Sequence, residues 1–344
     1  NRFYSKRAIE IFDEFMTMKE GIKEPFRYIA DIKDLFLGYM GKEYLCDITQ
    51  EEYQEFIKNI QYLPPKNGKF KAMFQNMSIK ELLMKSKDEH FKGISEGTLR
   101  DKLININAFL DFAVELEYID KNRFKYQAKQ TKRTNTLADD RRKEYRPHQL
   151  QALIKTQDYK DKLVYNLKNM PSRVWIPLIL LYQGFRINEI AQIYINQIET
   201  IDNIALFKIS DEKQEQKLKN TASKRRVPVH PKLLELGFMK FVEEQKNKGY
   251  DRLFNELYYT NQKGYGQAFS KYFRDTVRKQ FLSHEDMQKI ENKAIMLDLH
   301  SFRHNFSGML KGKIEDSLLD YLMGHKSKDY EYGKFKPSVM LDGI

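Results

Sequence analysis

His300-Ser301-Phe302-Arg303, then Leu322-Met323-Gly324-His325, then Tyr332-Gly333-Lys334-Phe335, with Gly184-Phe185-Arg186-Ile187-Asn188-Glu189 far upstream, are the segments that decide how this chain is read. They carry two arginines and two histidines, widely separated in sequence, which are the side chains a metal-free phosphate-cleaving site needs. A phosphodiester under attack gathers negative charge on its non-bridging oxygens. Guanidinium forks stay charged at any working pH and match phosphate geometry with paired hydrogen bonds. One position departs from that scheme: Phe335 stands where a nucleophilic tyrosine is expected.

Taken singly, each motif is weak. Arg186 and Glu189 share a face if a helix begins after Gly184, so the carboxylate can orient the guanidinium; the plainer reading is a surface ion pair. His300-x-x-Arg303 puts an imidazole and a guanidinium on one helical face. His300 and His304 have the i, i+4 spacing of a zinc site, but the metalloprotease pattern needs a glutamate directly after the first histidine, and Ser301 stands there. No metal is expected, and the single cysteine, Cys46, allows neither an intramolecular disulfide nor a multi-cysteine zinc site. Lys217, Lys219, Lys224, Arg225 and Arg226 follow an apolar strand-like run, Ile204 to Ile209. A lysine on such a turn can protonate a departing alkoxide while its charge stabilises the phosphate. For most of the five, simple phosphate contact is the plainer reading.

Working outward, 344 residues with 41% hydrophobic content suggest two domains, each with its own core. The net charge of +12 points to a polyanionic partner, nucleic acid before membrane. The longest apolar run, Val174 to Tyr182, is broken by Pro177 and is too short to span a bilayer. No signal peptide is visible, so an intracellular, reducing setting is expected. The chain opens on Asn1 rather than Met, which suggests that a segment is missing upstream.

Residues 1–128 read as a helical domain. After Ser95, a candidate N-cap, apolar residues fall at Leu99, Leu103, Ile106, Leu110 and Ala113, one face of a helix, with Arg100, Lys102 and Asn105 off that stripe. Such a basic face can lie in a DNA groove or simply be solvated. Pro64-Pro65-Lys66-Asn67-Gly68 reads as a loop. Residues 129–146 read as a basic linker carrying Lys129, Lys132, Arg133, Arg141 and Arg142, either a disordered connector or a strap across a DNA backbone. From Pro147 to residue 344 a second domain is expected, with helices at Gln149–Ile154 and Val174–Tyr182. A turn at Asp202-Asn203 precedes the strand Ile204–Ile209, and a further strand is expected at Arg226–Val229. The fold class is mainly α with a small β-sheet.

In combination and in this order, the motifs resemble the tyrosine site-specific recombinases, the phage integrase family that includes the Xer proteins. The resemblance covers most of the chain and is most specific over residues 174–335. It implies a helical core-binding domain followed by a mixed α/β catalytic domain that needs no cofactor. Arg186 and Arg303 would hold the scissile phosphate, His300 and His325 would hydrogen-bond it and assist proton transfer, and Glu189 would support the site from behind. Lys219, nine residues before Pro228, would be the general acid, although Asn220 separates it from Thr221 where relatives have a Lys-Thr pair; Lys217 and Lys224 are runners-up. DNA contacts would come from Arg100, Lys102, the five linker cations, Lys224 and Arg225.

The partner would be double-stranded DNA, bound by a dimer on one site and a tetramer in the synapse, with the C-terminal tail, Val339 to Ile344, docking on a neighbour. The setting would be the bacterial cytoplasm and nucleoid, for a phage or mobile-element protein or for Xer-type resolution. A tyrosine would attack the phosphorus, leaving a 3′-phosphotyrosine and a free 5′-hydroxyl. Phe335 holds the nucleophile's place and has no oxygen to attack with. Three explanations stand: a Tyr-to-Phe replacement that traps a complex before cleavage, a nucleophile at Tyr332 or Tyr330, or a natural noncatalytic sequence-specific DNA-binding protein. A type IB topoisomerase-like enzyme uses similar residues; the Gly-His motif and the helical first domain favour a recombinase.

Overall fold

The computed structural model describes residues 5–19, 28–64, 76–91, 93–123, 143–260, 264–292, 294–325 and 335–344. The chain divides into two compact units, Asn1–Asn135 and Thr136–Ile344. Most of the Pro64–Gly68 loop, the linker cations Lys129, Lys132, Arg133, Arg141 and Arg142, and Tyr330 and Tyr332 lie outside the described residues.

The first unit is built from Ala8–Met18 (α1), Ile29–Leu37 (α2, running on through Gly38–Met40), Gln50–Ile60 (α3), Ile79–Asp88 (α4) and Glu96–Glu115 (α5). Ser95 caps α5 by accepting from the Thr98 amide. Its stripe of Leu103, Ile106, Leu110 and Ala113 is buried, with Leu99 partly buried against the same core. Phe15 on α1 meets Phe109 and Phe112 of α5 edge-on at 5.7 and 5.4 Å between ring centres. The opposite face of α5 is not a free basic face. Lys102 forms an ion pair with Asp31 of α2, and Asn105 donates to the other carboxylate oxygen. Lys102, expected above to contact DNA, is here the cation that a buried carboxylate needs beside it. Arg100 is half-buried.

The second unit begins earlier than its composition suggests. Residues 143–146, read above as linker, are tied to its core by Tyr145. Tyr145 is buried between Phe281 and Phe302, and Asn305 bonds both its amide and its carbonyl. Then follow Pro147–Leu153 (α6), Leu163–Asn169 (α7), Ser172–Gln183 (α8) and Ile187–Ala191 (α9). The sheet is antiparallel in the order Ile198–Ile201 (β1), Ile204–Ile209 (β2), Arg225–Pro228 (β3). Asp202 and Asn203 both have positive φ, 50° and 63°, so the turn ahead of β2 is a tight hairpin that closes Ile201 on Ile204. This makes Ile198–Ile201 a strand that the sequence reading did not place.

After the sheet come Pro231–Glu235 (α10), Phe238–Asn247 (α11), Gly266–Tyr272 (α12, running on through Phe273–Val277 and Arg278–Phe281), His284–Glu291 (α13), Leu299–Leu310 (α14), Asp316–Met323 (α15) and Pro337–Asp342 (α16). Helices α8 and α14 pack on each other in the core. Gln183, fully buried at the end of α8, donates to the Pro228 carbonyl and accepts from the His230 amide, so it satisfies the end of β3. The C-terminal helix α16 packs on β2 and β3 with Met340 buried, so the tail expected to dock on a neighbour rests here on its own unit.

Gly184 ends α8 with φ +61°, and a Cβ there would lie 2.4 Å from the Phe306 ring. Gly184→Ala should therefore lower the unfolding free energy by about 2 kcal/mol or more in urea titration, because a left-handed backbone and a ring clash add. A loss under about 0.5 kcal/mol would mean that α14 moves aside at little cost.

Candidate active site

The turn at Gly184 brings the chain from α8 into α9 with Arg186 at the helix N-cap. The Arg186 amide and guanidinium both bond Glu189, at 3.1 and 2.7 Å. The same guanidinium donates to the Ser223 hydroxyl and to the Gly324 carbonyl, each at 3.3 Å. Arg303 lies one turn along α14 from His300 and is 2% exposed. It donates to the Gly184 carbonyl at 2.6 Å, to the Met323 carbonyl, and to His325 Nε2 at 3.0 Å. Asp298 caps α14 by accepting from the His300 amide, which fixes the start of the helix that carries both side chains. His300 and His304 stack edge-on at 5.3 Å.

His325 follows Gly324, whose φ of +62° ends α15. Its Nε2 accepts from Arg303, so the ring proton sits on Nδ1, 3.3 Å from Asp320. Burial lowers its pKa, the Arg303 charge adds to that, and Asp320 opposes it, so the ring is neutral at pH 7. Arg303 is pushed down to about 9, by burial first and then by the Arg186 charge. Glu189 is almost wholly buried. Burial alone would raise its carboxyl, but the Arg225 and Arg186 charges and their hydrogen bonds override it and hold it at about 2.

The structure thus gathers Arg186, Glu189, Arg303 and His325 into one hydrogen-bonded cluster, with His300 on the Arg303 helix. It adds Arg225, which had been read as a DNA contact and is corrected here: its side chain has no solvent exposure and is ion-paired to Glu189 at 3.0 Å. Lys219 is exposed, on the segment between β2 and β3, and makes no ion pair among the described residues. Lys217 lies over the Tyr259 ring at 5.7 Å, and Lys224, still partly exposed, pairs with Asp211 at 2.6 Å. Phe335 packs on Tyr321 of α15, with ring centres 5.6 Å apart. Among the described residues no three His, Cys, Asp or Glu side chains converge to hold a metal, and no helix is long and apolar enough to cross a membrane.

The family model described as "Phage integrase family" matches residues 143–330, more than half of the chain. The chain belongs to the phage integrase family, the tyrosine site-specific recombinases. Its matched span starts where Tyr145 enters the core of the second unit. No curated protein matches the chain. Among solved structures, the Tn1549 transposon integrase in complex with circular intermediate DNA is similar with a TM-score of 0.58 and 17% identity, over 97% of this chain and 98% of that one. A lambda integrase dimer bound to a COC′ core site matches with a TM-score of 0.56 and 14% identity, over 95% and 76%. A lambda integrase tetramer bound to a Holliday junction matches with a TM-score of 0.55 and 14% identity, over 96% and 81%. At these identities the likeness is one of fold.

Motif spacing did not reveal Ser223, Arg225 or the glutamines that seat the lysine segment of this integrase. Gln216 donates to the Gln192 carbonyl and to Gln197, and Gln192 accepts from the Lys217 amide. Nothing in their spacing marks them, because their partners are backbone groups or side chains remote in sequence.

Two outcomes test the electrostatics. An anion held by Arg186 and Arg303 should relieve their repulsion. Sulfate should raise the melting temperature above that in chloride of equal ionic strength, with a gain of about 1.4 kcal/mol at tenfold excess over its dissociation constant, lost in Arg303→Met. Second, Glu189 titrates near 2 in the fold against about 4.3 unfolded, so its stabilisation is complete above that higher value and disappears as pH falls toward 2. The difference is on the order of 3 kcal/mol, and Glu189→Gln should flatten that acid limb in denaturation measured across pH 2–5.

Proposed function

We propose that this chain is a metal-free DNA strand transferase that carries out site-specific recombination, for integration or excision of a mobile element or for Xer-type resolution, with Arg186 and Arg303 as the clamp on the scissile phosphate. The observation that carries the reading is the charge balance of the cluster. Three guanidinium groups, Arg186, Arg225 and Arg303, share the cluster with one buried carboxylate, Glu189, which pairs with the first two. The cluster holds more positive charge than it neutralises, and the lowered Arg303 marks a site that gains from an anion. Arg186 commits three of its five N–H donors, to Glu189, Ser223 and Gly324, and Arg303 commits three, to Gly184, Met323 and His325. Among the described residues two donors on each are left without a partner, open to phosphate oxygens.

In this reading a tyrosine hydroxyl passes its proton to His325 Nε2 and its oxygen attacks phosphorus, the two arginines stabilise the charge on the non-bridging oxygens, and His300 and the protonated His325 hydrogen-bond the phosphate. Lys219 gives a proton to the departing 5′ oxygen. The phosphotyrosine bond retains the energy of the phosphodiester, so a second strand can reverse the attack with no cofactor. Phe335 occupies the nucleophile's position and keeps the ring without its oxygen, so the chain as it stands binds and does not cleave from that position. The retained arginines and histidines support a Tyr-to-Phe replacement over loss of the activity. The lambda dimer and tetramer bound to DNA support duplex DNA as the partner and assembly of copies on it.

The test is covalent trapping on a nicked duplex whose site the chain has selected from a randomised DNA library. Phe335→Tyr should give a covalent protein–DNA band and the unaltered chain none. A band from the unaltered chain would move the nucleophile to Tyr332 or Tyr330, and no band from either, with binding intact, would favour a noncatalytic DNA-binding protein. Affinity for the selected duplex should also fall on the order of a thousandfold between 50 and 200 mM salt, as counterion release from several phosphate contacts requires. A flat response would sink the phosphate-contact reading.

A further inference from the structure

Arg225 opens β3, at the end of a lysine-rich segment, yet it is among the most deeply buried large side chains of the chain. Its Nε donates to the Leu322 carbonyl at 2.9 Å, one terminal nitrogen to the Ser223 carbonyl at 2.8 Å, and the other to Glu189 at 3.0 Å. Its guanidinium carbon lies 5.2 Å from the centre of the Phe185 ring. A Cβ on Gly324 would stand 2.6 Å from the Arg225 terminal nitrogen, so the turn before His325 is shaped around this guanidinium. One side chain therefore touches the carboxylate that orients Arg186, the helix end that presents His325, and the backbone of the lysine segment.

The link runs on toward Lys219. Ser223, whose carbonyl Arg225 holds, uses its hydroxyl to accept from Arg186 and to donate to Asn220 at 2.9 Å. Asn220 is the neighbour of Lys219 in the chain. At the other end of the segment Gln216 is buried in the Gln192–Gln197 network. Lys219 thus lies exposed between two buried anchors, and only the Arg225 anchor also touches the arginine clamp.

We propose that Arg225 is a positioning residue that sets the lysine-bearing segment against the phosphate clamp, so that it governs protonation of the leaving oxygen rather than DNA binding. The proposal deepens the strand-transferase reading and rests on it. In the step concerned the tyrosine hydroxyl gives its proton to His325, the tyrosine O–P bond forms and the P–O5′ bond breaks. The electron pair goes to O5′, which takes a proton from the lysine ammonium. If sulfur replaces that bridging oxygen, the pair stays on a thiolate that needs no proton, and a misplaced lysine no longer matters.

The experiment compares Phe335→Tyr with Phe335→Tyr/Arg225→Lys, and with Phe335→Tyr/Ser223→Ala, which leaves the buried charge in place. Each is tested on the selected nicked duplex with a 5′ bridging oxygen or a 5′ bridging sulfur at the scissile position. Both double variants should bind the duplex within about twofold of the parent, and Arg225→Lys should cleave the oxygen substrate about 100-fold more slowly, the scale of a lost general acid. On the sulfur substrate both should return to within about threefold of the parent. Equal defects on the two substrates would overturn the proposal, because a merely structural lesion or a weakened clamp is indifferent to the leaving group. Hydrogen exchange on the chain without DNA gives a second readout. Arg225→Lys should speed amide exchange across residues 217–224 by about tenfold while α8 keeps its protection, and unchanged exchange there would also overturn the proposal. Absence of cleavage by Phe335→Tyr itself on both substrates would count against the nucleophile assignment alone, and the exchange measurement would still decide the role of Arg225.

Discussion

Three successive carbonyls at the end of α15, those of Leu322, Met323 and Gly324, each accept a hydrogen bond from a different arginine: Arg225, Arg303 and Arg186. A helix leaves its last carbonyls without partners and carries partial negative charge at that end. Here a β-strand, a second helix and a helix N-cap each send a cation to it. The three arginines come from positions far apart in the chain, and the helix end fixes their mutual spacing. Gly324 is required at this junction twice over: its φ is +62°, and the space a Cβ would fill is taken by the Arg225 guanidinium. The cluster of Arg186, Arg303 and His325 is therefore a property of how α15 ends.

The same contacts explain why the cluster can be both buried and reactive. Burying cations costs free energy unless partners are supplied, and Glu189 with five carbonyls supplies most of what is needed. It does not supply all of it. Arg303 remains below its ordinary pKa, pushed down by burial and then by the Arg186 charge. A second carboxylate beside Arg303 would offset that, and would compete with any phosphate for the same donors. Asp320 faces His325 Nδ1 instead.

Much of this was legible in sequence because it depends on local spacing. The stripe from Leu99 to Ala113 and its Ser95 cap, the strand Ile204–Ile209 behind its Asp202-Asn203 turn, and the Arg186–Glu189 pair all lie within a few turns of chain. What was not legible depends on partners remote in sequence. Arg225 sits in a run of lysines and reads as surface, and its acceptor Leu322 is 97 residues away. Lys102 reads as part of a basic face until Asp31, 71 residues upstream, is brought beside it. Residues 143–146 read as linker because charge surrounds Tyr145, yet Asn305 bonds both backbone groups of that residue. Charged composition marks a surface only when no buried group of opposite sign needs the charge.

The position of Phe335 follows the same logic. Its ring packs on Tyr321, whose hydroxyl accepts from the Arg226 amide and donates to the Arg226 carbonyl. Tyr321 lies in α15, directly before the three carbonyls that hold the arginines, and Arg226 follows Arg225 in β3. One short helix thus presents the arginine cluster at its end and, one residue earlier, a ring that packs on the aromatic at position 335. Packing of that kind depends on ring shape and area, which tyrosine and phenylalanine share, whereas attack on phosphorus depends on one oxygen. The contact of Phe335 with Tyr321 is therefore one that either aromatic could make, and the arginine cluster at the end of α15 does not depend on an oxygen at position 335.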